Sequence, residues 1–379
     1  MEIHVVKQGD TVDTIAAFYG VSPASVIYDN QLAYPYALAV GQALLISTSP
    51  VSEPTFSAYS GGYAYPFIEE MVLQETLPFL SYLFIFSYGF TTEGELVPPT
   101  LDDQFMIQWA YRLGARPILT LTPFGPDGMF NNYLITTMVN DEVVKNRLFQ
   151  NLLAAMNEKG FQGVDVDFEY ILSADRVPFA NFVADLQNFL TPYGYTVSVA
   201  LAPKTSDDQP GLLYEGKDYR LLGNAADWVL LMTYEWGYTY GPPMAVAPIN
   251  KVIEVVNYAV TRIDPSKIHL GIPNYGYDWP LPYEKGVTKA RTISNTEAVQ
   301  IAIRAGVPIL FDETAMSPYF TYTENGIRHE VWFEDVRSLT EKYSLLPSYQ
   351  LRGISIWQIM KLFRPAFLLF QDMFQIQKF

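Results

Sequence analysis

Asp165, Asp167 and Glu169 alternate along residues 163–170, and the period of two in an extended chain places all three carboxylates on one face. Burying three acidic side chains without partners would be costly, so their presence on an otherwise apolar strand predicts a purpose. Three purposes fit. Clustered carboxylates bind hard cations such as Mg²⁺ or Ca²⁺, although the other strand ends offer little further acidic or histidine ligation. Neighbouring carboxylates also share protons, which raises the last pKa and keeps one group protonated near neutrality as a general acid. A purely structural acidic ladder is the third. Under the proton reading, Glu169 is the candidate acid because it lies nearest the C-terminal end of the strand.

Composition narrows the partners. The chain of 379 residues carries 24 Lys and Arg against 40 Asp and Glu, a net charge of −16, with no basic block. Neither nucleic acid nor an anionic membrane suits that balance. Cysteine is absent, and His4, His269 and His329 lie far apart without ligand-like spacing, so no disulfide framework, thiolate chemistry, structural zinc or cofactor is expected. No apolar run approaches the roughly 18–20 residues that span a bilayer, and Met1–Gly20 lacks the pattern of a secretion signal. The expectation is a soluble protein. Aromatic residues reach 15%, with 27 Tyr against 6 Trp, more than a core alone demands, so some are free to line a surface.

A scaffold must hold the three carboxylates in place. Short apolar runs recur at Phe56–Ser60, Tyr82–Tyr88, Pro117–Thr122, Gly163–Glu169, Thr196–Ala202, Trp228–Tyr234, Ile268–Pro273 and Gly353–Gln358, mostly separated by segments of helical period. Strands alternating with helices in this number predict an α/β fold, the (β/α)8 TIM barrel, whose functional groups cluster at the strand C-terminal ends. The gap between Pro273 and Gly353 exceeds one helix and predicts a small α+β insertion between strands seven and eight, about 282–335, forming one wall of a cleft. Phe363, Phe367, Phe370 and Phe374 mark a closing outer helix. Ahead of the barrel, which takes in 56–379, residues 1–47 read as strand, helix, helix, strand, and 48–55 read as a linker without periodicity.

That first unit resembles a LysM module, on Val6, Gly9-Asp10-Thr11, Ile15-Ala16, Tyr19-Gly20-Val21, Asn30 and Val40-Gly41. The resemblance implies binding of N-acetylglucosamine-containing glycans in a shallow groove, with Asp10, Thr11, Asn30 and Leu32 as its groove positions. Asp10 or Thr11 serves equally as an ordinary helix cap. A tethered module of this kind would raise the effective substrate concentration at the barrel.

The run Gly163-Val-Asp165-Val-Asp167-Phe-Glu169 resembles the signature strand of glycoside hydrolase family 18, the chitinases and related N-acetylglucosaminidases, with Gln162 at the leading acidic position. Met232-Thr-Tyr234-Glu235 is similar to the family's sixth-strand motif, and Trp357 to its eighth-strand tryptophan. The resemblance implies Glu169 as acid, Asp167 as the group orienting the substrate acetamide, Asp165 as its support and Tyr234 as a contact to the acetamido oxygen. It further implies Trp357 beneath the reactive sugar. Trp236 is a candidate stacking residue, Trp279 and Trp332 read equally as cleft wall or as packing within the insertion, and Glu235 and Asn274 are candidates for bonding polar edges. Glu334 and Asp335 read equally as cleft lining or as a solvated pair with Arg337. Residues 272–279 and 329–335, together with the LysM-like unit, resemble the sporulation-associated branch that degrades spore-cortex peptidoglycan, whose members often carry two LysM modules where this chain carries one. The branch implies a retaining glycosidase acting after N-acetylglucosamine in peptidoglycan, associated with the spore cortex or cell wall. Chitin hydrolysis and a non-catalytic glycan-binding barrel are the alternatives.

Overall fold

In the computed structural model, residues 1–48, 53–124 and 131–379 are described, so residues 49–52 of the expected linker lie outside the described residues. Eight parallel strands close into a barrel: Ser57–Ala64, Tyr82–Phe90, Arg116–Leu121, Gly163–Val166, Thr196–Leu201, Trp228–Leu231, Ile268–Pro273 and Gly353–Trp357. Closure comes from the first strand, which pairs with both the second and the eighth. Such strands are buried on both faces, by helices outside and side chains inside, which is why most are rich in Val, Ile and Leu.

The helices show in their ends why they start and stop where they do. Glu142–Lys159 begins where the Asp141 carboxylate accepts from the Val143 and Val144 N–H groups, and stops at Gly160 in the left-handed region. Arg176–Leu190 turns Phe179 and Phe182 onto the ring of Phe168. That contact holds the Phe168 side chain among the outer helices, and the alternation then sends Asp167 and Glu169 the other way. Arg364–Met373 closes the outer layer with buried Phe367 and Phe370, and Gln375–Ile376 adds a short strand beside Ser57 and Ala58. At the far end of the barrel from the carboxylates, Phe379 packs on Tyr59 and Tyr82 beneath the Arg116 guanidinium.

Three expectations change. The fourth strand, expected to run to Glu169, leaves the ladder after Val166, with one more sheet-like bond from Asp167 N–H to the Leu121 carbonyl at 2.9 Å. Its end is thereby freed to enter the barrel mouth, and Tyr170 follows at a φ of 55°. The insertion begins before residue 282: Gly276–Leu281 pairs with both Arg291–Ile293 and Ile327–Trp332 in a five-stranded antiparallel sheet that also takes in Ser317–Glu324 and Leu310–Asp312.

The third change concerns the N-terminal unit. Glu2–Val5 pairs with Ala43–Ile46 around helices Val12–Tyr19 and Pro23–Asp29, capped by Thr11 and Ser22. Rather than hanging from a tether, this unit is docked. Its terminal ammonium meets Asp372 at 2.8 Å, and the Arg364 guanidinium donates to the Tyr28 carbonyl at 2.7 Å while lying over the Tyr28 ring. Ile309 N–H bonds to the Val40 carbonyl at 2.8 Å and Arg337 to the Gly41 carbonyl at 3.1 Å. Only glycine fits at position 41, where φ is 83° and a Cβ would stand 1.9 Å from the Ile309 carbonyl oxygen. Leu45 joins the core of the barrel itself, and that buried apolar contact explains the docking.

Candidate active site

The C-terminal ends of the barrel strands surround a cleft built from two adjoining cavities. One, of about 220 Å³, is lined by Tyr63, Phe86, Asp167, Glu169, Tyr234 and Trp357 among others. Its neighbour, of about 180 Å³, is lined by Pro203, Tyr214 and Trp236 together with Glu169, Tyr234 and Glu235. Glu169, Met232, Tyr234 and Glu235 belong to both, so Glu169 stands at the joint between them. Together they fall within the roughly 300–1,000 Å³ usual for small-ligand clefts.

Below the cleft floor, Asp165 is fully buried and accepts from the Tyr63 hydroxyl at 2.8 Å and the Ser198 hydroxyl at 2.6 Å. Burial pushes its pKa up to about 6, against the two hydroxyls that stabilise the charged form. Asp167 is 6% exposed, and its Oδ1 has no hydrogen-bond partner among the described residues. Burial, then the nearby Glu169 carboxylate, hold the Asp167 carboxyl well above the usual range. Burial also raises the pKa of Glu169, with the Lys217 ammonium opposing it. Two electrostatically coupled carboxyls that both resist ionisation lose their protons in two separate steps, which leaves one proton on the pair as general acid catalysis requires.

Around them, Tyr234 is 9% exposed and borders both cavities. Glu235 has a φ of 68°, and its carboxylate accepts from the Tyr277 hydroxyl at 2.9 Å and from the Tyr275 hydroxyl. Trp357 is half-buried, with its ring edge-on to Phe86 at 5.0 Å and tilted against Tyr63 at 5.5 Å, so two neighbouring rings hold its indole in place. Trp236 lines the second cavity. Asp165, Asp167, Glu169, Tyr234, Glu235, Trp236 and Trp357 are therefore brought together.

Others are not. Trp279 is completely buried in the insertion's first strand, where its indole N–H donates to the Gly241 carbonyl at 2.8 Å, so it offers no stacking face. Asn274 spends its amide N–H groups on the Gln358 and Lys361 carbonyls, at 3.0 and 2.9 Å, bracing the segment after Trp357 rather than facing the cleft. Trp332 is stacked on Tyr319, and Glu334 is sealed against Lys342.

In the N-terminal unit, Asn30 is a buried strut: its amide donates to the Val26 and Leu45 carbonyls and accepts from Leu45 N–H. Leu32 belongs to that unit's apolar core, and Thr11 caps a helix in a reciprocal pair with Thr14. Asp10 accepts from Lys7 N–H at 2.7 Å and meets His4 at 2.9 Å. It borders a groove with Phe18 and Tyr19, between the first strand and first helix, and Asn30 and Leu32 lie elsewhere.

Tyr63, Tyr65, Phe86 and Tyr214 line the cleft and were not singled out from sequence. Tyr59, Tyr63 and Tyr65 share the period-two phase of the first strand, a signal that could have pointed to the first of them. Among the described residues, no three His, Cys, Asp or Glu side chains are grouped to hold a metal ion, and no helix is long and apolar enough to cross a membrane.

The family model of Glycosyl hydrolases family 18 matches residues 128–361, and that of the LysM domain matches residues 4–47. A Cortical fragment-lytic enzyme of Bacillus subtilis is 37% identical over 430 residues, an alignment covering 100% of this chain and 99% of that protein. The crystal structure of the Bacillus cereus spore cortex-lytic enzyme SleL matches with a TM-score of 0.94 at 32% identity, covering 100% of this chain and 99% of that one. A chitinase from Chromobacterium violaceum matches with a TM-score of 0.77 at 24% identity, over 83% of this chain and 98% of that one, a likeness of fold.

Proposed function

Because the chain belongs to glycosyl hydrolases family 18 and carries a LysM domain, we propose that it is a retaining glycosidase that cleaves β-1,4 bonds after N-acetylglucosamine in spore-cortex peptidoglycan. Family 18 departs from the two-carboxylate scheme, because the substrate's own N-acetyl oxygen attacks the anomeric carbon. Glu169 protonates the glycosidic oxygen and later activates water. Asp167 accepts the acetamido N–H on its free Oδ1 and stabilises the oxazolinium ion. Asp165, anchored by Tyr63 and Ser198, supports Asp167 from below. The Tyr234 hydroxyl holds the acetamido oxygen, and Trp357 underlies the sugar.

One observation carries this reading: Glu169 stands where two cavities meet, the place a glycosidic oxygen occupies when one sugar fills each side. Full-length similarity to proteins named cortical fragment-lytic and spore cortex-lytic enzymes supports the cortex as substrate. The LysM domain supports attachment to N-acetylglucosamine glycans and association with the cell wall or spore.

Mass spectrometry of products from purified cortex, vegetative peptidoglycan and chitooligosaccharides tests it. New N-acetylglucosamine reducing ends from cortex are expected, and Glu169→Gln abolishes them. New muramic reducing ends, or undiminished release by Glu169→Gln, would defeat the proposal. Preferential release from chitooligosaccharides would move the substrate to chitin while leaving the chemistry in place.

A further inference from the structure

The roles above leave unexplained a buried charge that faces the catalytic carboxyls. Lys217, in the loop after the fifth barrel strand, is 1% exposed, and its ammonium donates to the Ala200 carbonyl at 2.7 Å. Ala200 borders the same cavity as Asp167 and Glu169. Pairing of the fourth and fifth strands runs as far as Val166 opposite Val199, and Ala200 is the next residue, so its carbonyl lies just past the ladder. Two contacts fix the loop. The Lys217 carbonyl accepts from the Lys204 ammonium at 2.9 Å, and Gly216 lies so close to Ile171 that a Cβ would stand 2.4 Å from the Ile171 carbonyl oxygen. Ile171 follows Glu169 by two residues, which places the cation against the segment that carries the acid.

A buried ammonium bonded to a carbonyl is costly unless nearby anions compensate it. Lys204, buried in the same loop, faces Asp207, Asp208, Asp218 and Arg176, whereas Lys217 faces Asp167, Glu169 and Asp165, which oppose the downward push of burial on its own pKa. We propose that Lys217 is a positioning residue whose positive charge holds the Asp167–Glu169 pair in its singly protonated state near neutral pH. The assignment rests on the roles given above to those two carboxyls. The offset is the point of the arrangement: a direct ion pair would occupy carboxylate oxygens that the sugar needs, while a charge one layer back acts through its field.

Other groups face this pair from several elements: Tyr63 and Tyr65 from the first strand and its end, Tyr234 and Glu235 after the sixth, and Tyr170 beside Glu169. Ser198 on the fifth strand reaches Asp165. Burial keeps the phenols neutral, and Glu235 adds negative charge, so within this set Lys217 is the cation. Its field opposes the upward push of burial on both Asp167 and Glu169. Removing it therefore raises both values. The pair then takes up its second proton at a higher pH and also keeps its last proton to a higher pH.

Turnover of cortex fragments by the full chain, measured from about pH 4 to about pH 9, tests this with Lys217→Met, Lys217→Gln and Lys217→Arg. Lys217→Gln keeps a donor for the Ala200 carbonyl and removes the charge. Both neutral variants are expected to shift both limbs of the kcat profile upward by about one pH unit, costing roughly tenfold on the acid side, with KM nearly unchanged. Lys217→Arg keeps the wild-type limbs. Unmoved limbs in a folded neutral variant, or an equal shift in Lys217→Arg, overturn the proposal. Should neither neutral variant fold, lysine ¹⁵N NMR of the wild type decides: a charged Lys217 throughout the active pH range supports it, and a neutral amine overturns it. Undiminished turnover by Glu169→Gln would instead overturn the acid assignment, and with it the pair that Lys217 serves.

Discussion

Lys342 and Lys217 are both sealed from solvent beside carboxylates, yet they meet them differently. Lys342 bonds directly to Glu334 at 2.9 Å, with both side chains at zero exposure, and Ser338 shares the same carboxylate oxygen. Lys217 bonds to the Ala200 carbonyl and leaves the oxygens of Asp167 to the cleft. The first arrangement satisfies charge by contact and braces the helix after the insertion. The second supplies charge without contact. An unpartnered buried oxygen does not by itself separate the two, because among the described residues Glu334 Oε1 lacks a partner just as Asp167 Oδ1 does. What separates them is space. The cavity beside Glu334, at the junction with the LysM domain, is about 30 Å³, whereas the one beside Asp167 is about 220 Å³ and continues into a second. A sugar fits only the latter.

Substitution at each site sharpens the contrast. Glu169→Gln is expected to lose about 10²–10⁴-fold in kcat, the usual share of a positioned general acid, with an unchanged melting temperature. Lys342→Met is expected to do the reverse. Stranding the buried Glu334 charge costs about 3–5 kcal/mol of stability, read by denaturant unfolding, while kcat per folded molecule stays at the wild-type value. Adding Glu334→Leu to Lys342→Met should restore most of that loss, since an apolar pair of similar volume needs no counter-charge. If the double variant stays as unstable as the single one, the Glu334–Lys342 contact is not what the first substitution broke.

These two sites also differ in how far sequence reasoning reaches them. Asp165, Asp167 and Glu169 are legible because strand alternation is local, and Tyr234 and Trp357 because the family resemblance carries an ordered set of motifs across strands four, six and eight, whose ends meet at the barrel mouth. Lys217 is not legible: its place depends on where the ladder between strands four and five stops, and on Gly216 meeting Ile171. Trp279 is undecided in the sequence for a similar reason. A tryptophan shortly after a barrel strand reads equally as cleft wall or as insertion packing, and Gly276–Leu281 turns into the insertion's sheet and carries the indole inward. Asn30, a groove position only by the LysM resemblance, is a buried strut because the backbone of Leu45 claims its amide on both sides. The eight strands were recoverable from their apolar runs, whereas docking of the LysM domain depends on contacts between residues about 270 to 370 apart in sequence, Val40 with Ile309 and Met1 with Asp372 among them.

The junction that bounds the Glu334 site gives a smaller effect. Gly41→Ala forces a Cβ into the Ile309 carbonyl at a positive φ, and overpacking of this kind costs about 1–3 kcal/mol. The expected outcome is a lower melting temperature and faster proteolytic separation of the LysM domain, with hydrolysis of a short soluble glycan unchanged. Hydrolysis falling in step with docking would mean that the LysM domain shapes the cleft as well as holding polymer.

Ser198→Ala makes the finest distinction, because it alters the carboxylate beneath the reacting pair and touches neither sugar nor Lys217. The Ser198 hydroxyl donates to Asp165, whose pKa stands at about 6 because burial outweighs the two hydroxyl donors. Removing one donor disfavours the ionised form, so that pKa rises further. A net hydrogen-bond contribution of about 0.5–1.5 kcal/mol corresponds to a rise of roughly half to one pH unit. If Asp165 shares in the second proton that the Asp167–Glu169 pair takes up, the acid limb of kcat moves upward by up to that amount, with turnover lost near pH 6 and retained at about pH 8. The base limb, set by Glu169, should stay nearly in place, whereas Lys217→Met moves both. Stability carries the opposite sign. A carboxyl whose folded pKa is raised contributes stability that is present below its unfolded value and is lost as pH climbs through the folded one. Unfolding free energy attributable to Asp165 therefore declines from about pH 4 to about pH 6 in the wild type, and in Ser198→Ala that decline extends to higher pH. An acid limb unmoved by Ser198→Ala would mean that the ionisation of Asp165 does not govern turnover, leaving the Asp167–Glu169 pair to set it.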